Sequence, residues 1–152
     1  MKTAIMSLLL LTNVYAYDVG DTISDSISSY IGSTKDKIYI IDFFASWCNS
    51  CKKEIPLLSK VNKKIDKTKI EIIGIDVDKN IQHGLKFQKM LKDDGKLNFR
   101  VINDPQNNLI SAFSPIGMPT LYYVKENKII RIITGAVDNI DKVILQDIKG
   151  ME

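Results

Sequence analysis

Two runs of consecutive apolar residues constrain the fold of this chain more than any other feature. Ile38–Ala45 and Ile70–Val77 are rich in β-branched and aromatic side chains, as is typical of strands buried on both faces. Between them, Cys51–Ile65 carries apolar residues three and four positions apart, which indicates one buried helix face. Strand, helix and strand in this order predict an α/β sheet covered by helices on both faces.

The alternation continues to the end of the chain. It predicts helices at Ile81–Leu91, Asn107–Phe113 and Val137–Ile148, and strands at Leu97–Ile102, Leu121–Val124 and Ile129–Ile133, with a hairpin turn at Glu126-Asn127-Lys128. Pro56 should kink the first helix. A length of 152 residues, 45% of them hydrophobic and 26% charged, indicates one globular domain. We place it at residues 38–152, after a lead-in at residues 17–37 with one short strand or helix.

Residues 1–16 have the three parts of a secretory signal in order. Lys2 is followed by the apolar run Ala4–Val14 and by the small-x-small site Val14-Tyr15-Ala16. We therefore predict an exported, periplasmic protein that is cleaved after Ala16. The alternatives are a buried first helix and a retained membrane anchor, although the run is shorter than the roughly 20 apolar residues of a spanning helix.

Charge and histidine content exclude two classes of function. The net charge is only +3, and nucleic-acid binding needs a clustered positive charge. The single histidine, His83, leaves no material for a multi-histidine metal site, and we predict that it is a surface helix residue. We expect neither a nucleic-acid partner nor a bound metal.

The two cysteines, Cys48 and Cys51, form one C-x-x-C between the first strand and its helix. Free N–H groups and a partial positive charge at a helix start stabilise a thiolate, which is the attacking species. We expect Cys48 to attack and Cys51, one turn later, to resolve the mixed disulfide. A zinc half-site lacks further ligands, and a structural bridge across two residues removes little unfolded-state entropy. The pair is thus interpreted as a redox-active disulfide that needs no other cofactor.

The segment around these cysteines resembles a known family. FFASWCNSCKKEIP is similar to the active-site segment of the thioredoxin superfamily, particularly to the W-C-x-x-C-x-x-E-x-P of its exported TlpA/ResA-like branch. Gly117-Met118-Pro119-Thr120 matches the G-x-P-T of the superfamily. Phe99–Pro105 is similar to F-P-V-L-x-D-P, with Arg100 in place of the proline. The resemblance implies a thioredoxin fold, a central mixed sheet flanked by helices, with a central helix–strand insertion.

Two carboxyl groups are candidates for proton transfer. Strand alternation places Asp42 on the face of Ile40 and Phe44, where burial raises the pKa of a carboxyl. The resemblance matches Asp42 to the buried aspartate of thioredoxins and Glu54 to the active-site glutamate of the branch. The alternatives are a satisfied buried acid and an ordinary first-turn glutamate. Which of the two handles the proton of Cys51 stays open.

The resemblance also implies a substrate-binding surface. It places Met118 before a cis proline, Pro119, that faces the cysteines, and Thr120 directly after it. The backbone of Met118 could pair with an extended substrate segment. Trp47 offers an apolar platform beside Cys48, or else is a core aromatic.

The function that follows is an exported thiol–disulfide oxidoreductase, a reductant of protein disulfides. The resemblance implies a membrane electron donor of the DsbD or CcdA type and a role in cytochrome c maturation, with apocytochrome c as a substrate. One alternative is a Dsb-type oxidant or isomerase, and a more distant one is a copper-handling thioredoxin-like module.

Overall fold

The computed structural model describes residues 16–151, which form one five-stranded sheet in the order β3-β2-β1-β4-β5. The strands are β1 (Ile38–Phe44), β2 (Ile70–Asp76), β3 (Arg100–Asn103), β4 (Thr120–Lys125) and β5 (Lys128–Thr134). The helices are α1 (Asp25–Ile31), α2 (Asn49–Asn62), α3 (Ile81–Asp93), α4 (Asn108–Phe113) and α5 (Ile140–Met151).

The central strand β1 organises the sheet. It runs parallel to β2, with Ile38 opposite Ile70, and antiparallel to β4. The outer pairs are β2 with β3, which is parallel, and β4 with β5, which is antiparallel. Every residue of β1 is buried. The predicted mixed sheet with a doubly buried central strand is confirmed.

Helices cover both faces of the sheet, as the sequence predicted. One core contains Ile40 and Phe44 of β1 together with both cysteines and apolar residues of α2, α3 and α5. The other contains Ile41 and Phe43 together with apolar residues of α1 and α4. Successive residues of β1 therefore serve opposite cores, which is the period-two alternation of a strand.

The predicted strand Leu97–Ile102 begins later, at Arg100. The backbone just before Arg100 is hydrogen-bonded to two side chains of α2 and not to a neighbouring strand. The N–H of Asn98 donates to Ser59 Oγ at 3.3 Å, and its carbonyl accepts from Asn62 Nδ2 at 2.9 Å. Because these groups are already paired, the segment satisfies its hydrogen bonds without joining the sheet.

The remaining predicted elements are all present, with ends shifted by a few residues. The shifts reach three residues at the end of α2, which is Asn62 and not Ile65, and at the start of α5, which is Ile140 and not Val137. Pro56 lies within α2 without ending it. Glu126 and Asn127 have φ of 52° and 61°, which is the geometry of a two-residue hairpin turn.

The lead-in is attached to the outer edge of β5. It contains α1 and an isolated antiparallel bridge between Thr22 and Lys128. The N–H of Gly20 donates to the carbonyl of Ile129 at 2.8 Å, and the N–H of Ile129 donates to the carbonyl of Asp21 at 2.8 Å. The lead-in therefore extends the sheet edge, whereas the boundary at residue 37 stays a prediction.

The predicted export signal lies almost entirely outside the described residues, which begin at Ala16. Between residues 16 and 151, no helix has the length and apolar character that crossing a membrane requires.

Candidate active site

The cysteines lie where β1 passes into α2. Cys48 is the N-cap of α2, and its Sγ accepts a hydrogen bond from the N–H of Cys51 at 3.2 Å. The two form a disulfide with their Cα atoms 5.3 Å apart. Cys48 keeps 8% of its surface exposed, whereas Cys51 has none. The geometry thus gives only Cys48 access to an incoming sulfur and supplies its thiolate with an N–H donor.

The loop before Cys48 is fixed by a buried carboxylate that sequence reasoning missed. Asp78 accepts hydrogen bonds from the N–H of Ser46 at 2.7 Å and from its hydroxyl at 2.8 Å. The N–H of Asp78 donates in turn to Asp76 Oδ1 at 3.0 Å. Asp76 is the last residue of the buried strand β2 and Asp78 lies two residues beyond it, at the carboxyl end where functional groups of α/β sheets collect. That position was the signal that could have identified them.

A polar network continues from Asp76 into the insertion. Its Oδ2 accepts from Gln88 Nε2 at 2.7 Å, and burial is the main cause that raises the pKa of Asp76 to about 6. A Cβ on Gly84 would lie 2.5 Å from Asp76 Oδ2, closer than real contacts allow. The glycine therefore permits α3 to pack directly against this carboxyl group.

The two predicted carboxyl groups lie buried on the cysteine side of the sheet. Asp42 is fully buried, and neither of its oxygens has a hydrogen-bond partner among the described residues. Desolvation, and secondly the charge of Glu54, raise the pKa of Asp42 well above its usual range. Glu54 lies one turn after Cys51 in α2, and desolvation raises its pKa to about 7. The structure thus brings together two carboxyl groups whose pKa values are both raised by burial.

No salt bridge compensates either carboxyl group within residues 16–151. Glu54 Oε1 also lacks a hydrogen-bond partner there. A crevice of about 200 Å³ between α2 and the loop before α5 reaches Glu54 and is bordered by Lys53 and Asn139. Glu54 is therefore the acid with a path to solvent, and Asp42 is the one without.

The Met118–Pro119 peptide bond is cis, as the resemblance implied. The carbonyl of Pro119 accepts from the N–H of Gly135 at 2.9 Å. The hydroxyl of Thr120 donates to the carbonyl of Gly117 at 2.6 Å, and Thr120 is buried. This geometry gives Thr120 a part in holding the loop. The backbone of Met118 forms no hydrogen bond within the described part of the chain.

An open groove of about 620 Å³ lies between Trp47 and the cis-proline loop. Trp47 borders this groove and is 65% exposed, so the interpretation of this residue as a core aromatic is wrong. Met118 and the exposed His83 of α3 line the same groove. The predicted surface position of His83 is confirmed, but its place beside the redox centre was not foreseen. Trp47 and Met118, predicted to bind substrate, are therefore brought together.

Comparison with known proteins places this geometry in context. The profile of the AhpC/TSA family matches residues 19–133. The chain is 26% identical to the thiol-disulfide oxidoreductase ResA of Geobacillus thermodenitrificans over 169 residues, which covers 98% of this chain and 95% of that protein. It is 25% identical over 108 residues to ResA of Bacillus subtilis. That second match covers 70% of this chain but only 58% of the relative.

A solved structure shows the same fold. The crystal structure of a putative thiol:disulfide interchange protein DsbE from Chlorobium tepidum superposes with a TM-score of 0.74 at 20% sequence identity. The superposition covers 89% of this chain and 98% of that one. The predicted thioredoxin fold, with helix, strand and helix inserted between β2 and β4, is confirmed.

Proposed function

This chain belongs to the AhpC/TSA family of the thioredoxin superfamily and is a thiol–disulfide oxidoreductase, and from that premise we propose that it reduces disulfides of exported proteins. One observation carries the proposal. Two buried acids, Asp42 and Glu54, lie on the side of the sheet that holds the Cys48–Cys51 disulfide, and no salt bridge within the described residues neutralises either of them.

The reaction begins with both cysteines reduced. The thiolate of Cys48 attacks one sulfur of the substrate disulfide, which breaks that bond, forms a mixed disulfide and releases the first substrate thiolate. Cys51 then loses its proton to a buried carboxylate and attacks Sγ of Cys48. This second step releases the other substrate thiolate and leaves the Cys48–Cys51 disulfide. The substrate gains two electrons, and its thiolates take up two protons.

Asp42 and Glu54 suit the second step. Cys51 is fully buried, so its proton needs an acceptor inside the protein. A carboxyl group whose pKa is raised towards neutrality can accept and release a proton at the working pH. We propose that Asp42 exchanges the proton with Cys51 and that Glu54, beside its crevice, exchanges it with solvent.

The ionised forms of Asp42 and Glu54 also favour a reducing protein. A strongly oxidising site needs a reduced form stabilised by a depressed thiol pKa. A negative charge on Asp42 or Glu54 opposes the thiolate, and the residues between the cysteines, Asn49 and Ser50, carry no positive charge. The stabilisation identified for the Cys48 thiolate is that of the helix N-terminus. The thiolate is therefore only modestly favoured, and the dithiol donates electrons readily.

The sequence supports a location and partners for this reaction. The features of residues 1–16 support export to the periplasm with cleavage after Ala16, and a retained membrane anchor is the alternative. An exported reductant needs a source of electrons across the membrane, for which a carrier of the DsbD or CcdA type is proposed. Cytochrome c maturation, with apocytochrome c as substrate, is supported by the resemblance to the TlpA/ResA-like branch.

Trapping in cells tests this proposal. A Cys51→Ser variant cannot resolve its mixed disulfide and should accumulate exported proteins bound through Cys48, whereas the matched Cys48→Ser variant should trap none. In cells that lack the protein, the trapped substrates should accumulate as disulfides. Their accumulation as free thiols would overturn the reductant assignment in favour of the Dsb-type oxidant or isomerase. Copper bound by the reduced protein, with no trapped partner, would instead support the copper-handling alternative.

A further inference from the structure

The cis-proline loop is bordered by two crevices. One is the groove on the side of Trp47. The other, which we call the lead-in crevice, has a volume of about 380 Å³ and lies between the loop, the lead-in and the sheet. Ser114 borders both. The side chains that matter in the lead-in crevice are Tyr17, Asp18, Val19, Ile116, Tyr122 and Ile132.

The wall that the lead-in supplies is fixed in place. The N–H of Tyr17 donates to the carbonyl of Phe113 at 3.2 Å, and the two rings meet edge to face with centroids 5.2 Å apart. The hydroxyl of Tyr17 accepts from the N–H of Ser24 at 3.2 Å. Together with the bond from Gly20 to β5, these contacts hold both ends of residues 17–20. The crevice is therefore preformed, as binding sites usually are.

Two large apolar side chains at this crevice are exposed to solvent. Ile116 is 95% exposed, and Val19 is 56% exposed. Both line the same crevice, and exposed apolar side chains that cluster in this way mark an interaction site. Ile116 lies two residues before Met118, whose backbone forms no hydrogen bond within the described part of the chain. Ile116 therefore lies on the same loop as Met118, which lines the groove beside Trp47.

Charge distinguishes the two crevices. Among residues 16–151, Asp18 is the only charged side chain that lines the lead-in crevice. The groove beside Trp47 is lined by the exposed Lys79 and by Asp78, whose oxygens both accept hydrogen bonds from Ser46. A cation is therefore favoured at the lead-in crevice and disfavoured at the groove beside Trp47.

We propose that the lead-in crevice binds an apolar side chain of the protein substrate close to its disulfide cysteine, with a basic residue beside it at Asp18. The inference rests on the proposed function and names its substrate class, which is an extended segment with an apolar and a basic residue near the cysteine. The lead-in is then part of the substrate-binding surface.

Peptides that carry one cysteine as a mixed disulfide with thionitrobenzoate test this. Leucine or serine is placed in turn at each of the two positions before and after the cysteine, and the second-order rate of reaction with the reduced full chain is measured. At one position, leucine should react about tenfold faster than serine, as expected for one buried aliphatic side chain. Val19→Asp and Ile116→Asp should each reduce this ratio below about twofold.

Met90→Asp is the matched control because Met90 is 51% exposed on α3, away from both crevices. It should keep the tenfold preference. The rate of Met90→Asp with free dithiobis(nitrobenzoate), which needs no subsite, should equal that of the wild-type chain. In a second series, lysine beside the leucine should react about two- to fivefold faster than glutamate, and Asp18→Asn should abolish this difference.

The outcomes are separable. Equal rates for all peptides with the wild-type chain, or a full preference retained in Val19→Asp and Ile116→Asp, would overturn the inference alone. Failure of the wild-type chain to react with any disulfide would overturn the proposed function as well. A loss of self-association in Val19→Asp, with unchanged peptide preference, would show that the crevice is an interface between two copies of this chain. That result would also overturn the inference. Far-ultraviolet circular dichroism verifies that each variant is folded. If Val19→Asp does not fold, Ile116→Asp still tests the inference, because Ile116 is almost fully exposed.

Discussion

Asp78 accepts hydrogen bonds from both donors of Ser46, the backbone N–H and the hydroxyl. It thereby links the β2–α3 loop to the segment that carries the reactive sulfur. Ser46 lies two residues before Cys48. The position of Cys48 therefore depends on a carboxylate more than thirty residues away in sequence. This pair connects the redox centre to the insertion, since Asp78 is itself held by Asp76.

We predict that Asp78→Ala lowers the free energy of unfolding by about 2–4 kcal/mol, because it leaves the partly buried N–H and hydroxyl of Ser46 without a charged acceptor. Ser46→Ala removes only the hydroxyl bond and should lower it by about 1 kcal/mol. Urea denaturation of the oxidised proteins measures both. Equal effects of the two substitutions would show that the backbone N–H bond contributes little.

Alkylation of the reduced protein near neutral pH should modify Cys48 well before Cys51. Cys48 is the N-cap and keeps 8% of its surface exposed, whereas Cys51 is fully buried, and the helix N-terminus favours the thiolate of Cys48. Peptide mass spectrometry after short exposure to iodoacetamide identifies the modified cysteine. Earlier labelling of Cys51 would reverse the assigned roles.

Asp42→Asn should slow the resolution of a mixed disulfide by about 10–100-fold, within the range of general acid–base catalysis. The amide cannot take the proton of Cys51. Stopped-flow measurement of substrate-thiol release gives this rate, and attack by Cys48 in the first step serves as the internal control. Normal resolution in Asp42→Asn together with a clear loss in Glu54→Gln would transfer the proton-accepting role to Glu54.

The oxidised protein should lose stability as the pH rises from about 4.5 to about 7. The pKa of Glu54 rises from 4.5 in the unfolded chain to about 7 in the fold, so the folded state binds its proton more tightly in that range. The free energy of unfolding therefore falls as pH increases, on the order of 3 kcal/mol from this group. Asp42, whose pKa is also raised, acts in the same direction.

Glu54→Gln is the variant that isolates this contribution. Urea midpoints at several pH values should show a flatter profile than in the wild-type protein and a more stable protein above pH 7. A profile as steep as that of the wild type would assign the pH dependence to Asp42 and to Asp76, whose pKa burial raises to about 6.

The redox potential should lie closer to the roughly −270 mV of thioredoxin than to the roughly −120 mV of DsbA. The carboxyl groups near the sulfurs oppose the thiolate of Cys48, and no salt bridge within residues 16–151 compensates them. The reduced form is therefore disfavoured relative to the disulfide, which lowers the potential. Equilibration with glutathione, followed by Trp47 fluorescence, measures the potential. A value above about −180 mV, near that of protein disulfide isomerase, would contradict the reductant assignment.

Much of the site was predictable because its chemistry is local in sequence. Cys48 and Cys51 are one helical turn apart, and strand alternation is enough to place Asp42 on their side of the sheet. The part played by Asp78 was not predictable, because its partner Ser46 belongs to a different strand–helix connection. Nothing in the sequence spacing of the two residues indicates a hydrogen bond.

The sequence by itself determined the order of strands and helices, the two-sided burial of β1 and the identity of the redox pair. These depend on periodicity and on residues close along the chain. Only the tertiary structure decided which groups share a surface. It packed Glu54 near Asp42, placed His83 beside Trp47 and joined the lead-in to the cis-proline loop. Such contacts arise when elements distant in sequence pack to bury apolar surface, and the resulting loss of hydration is also what raises the pKa values of the two acids.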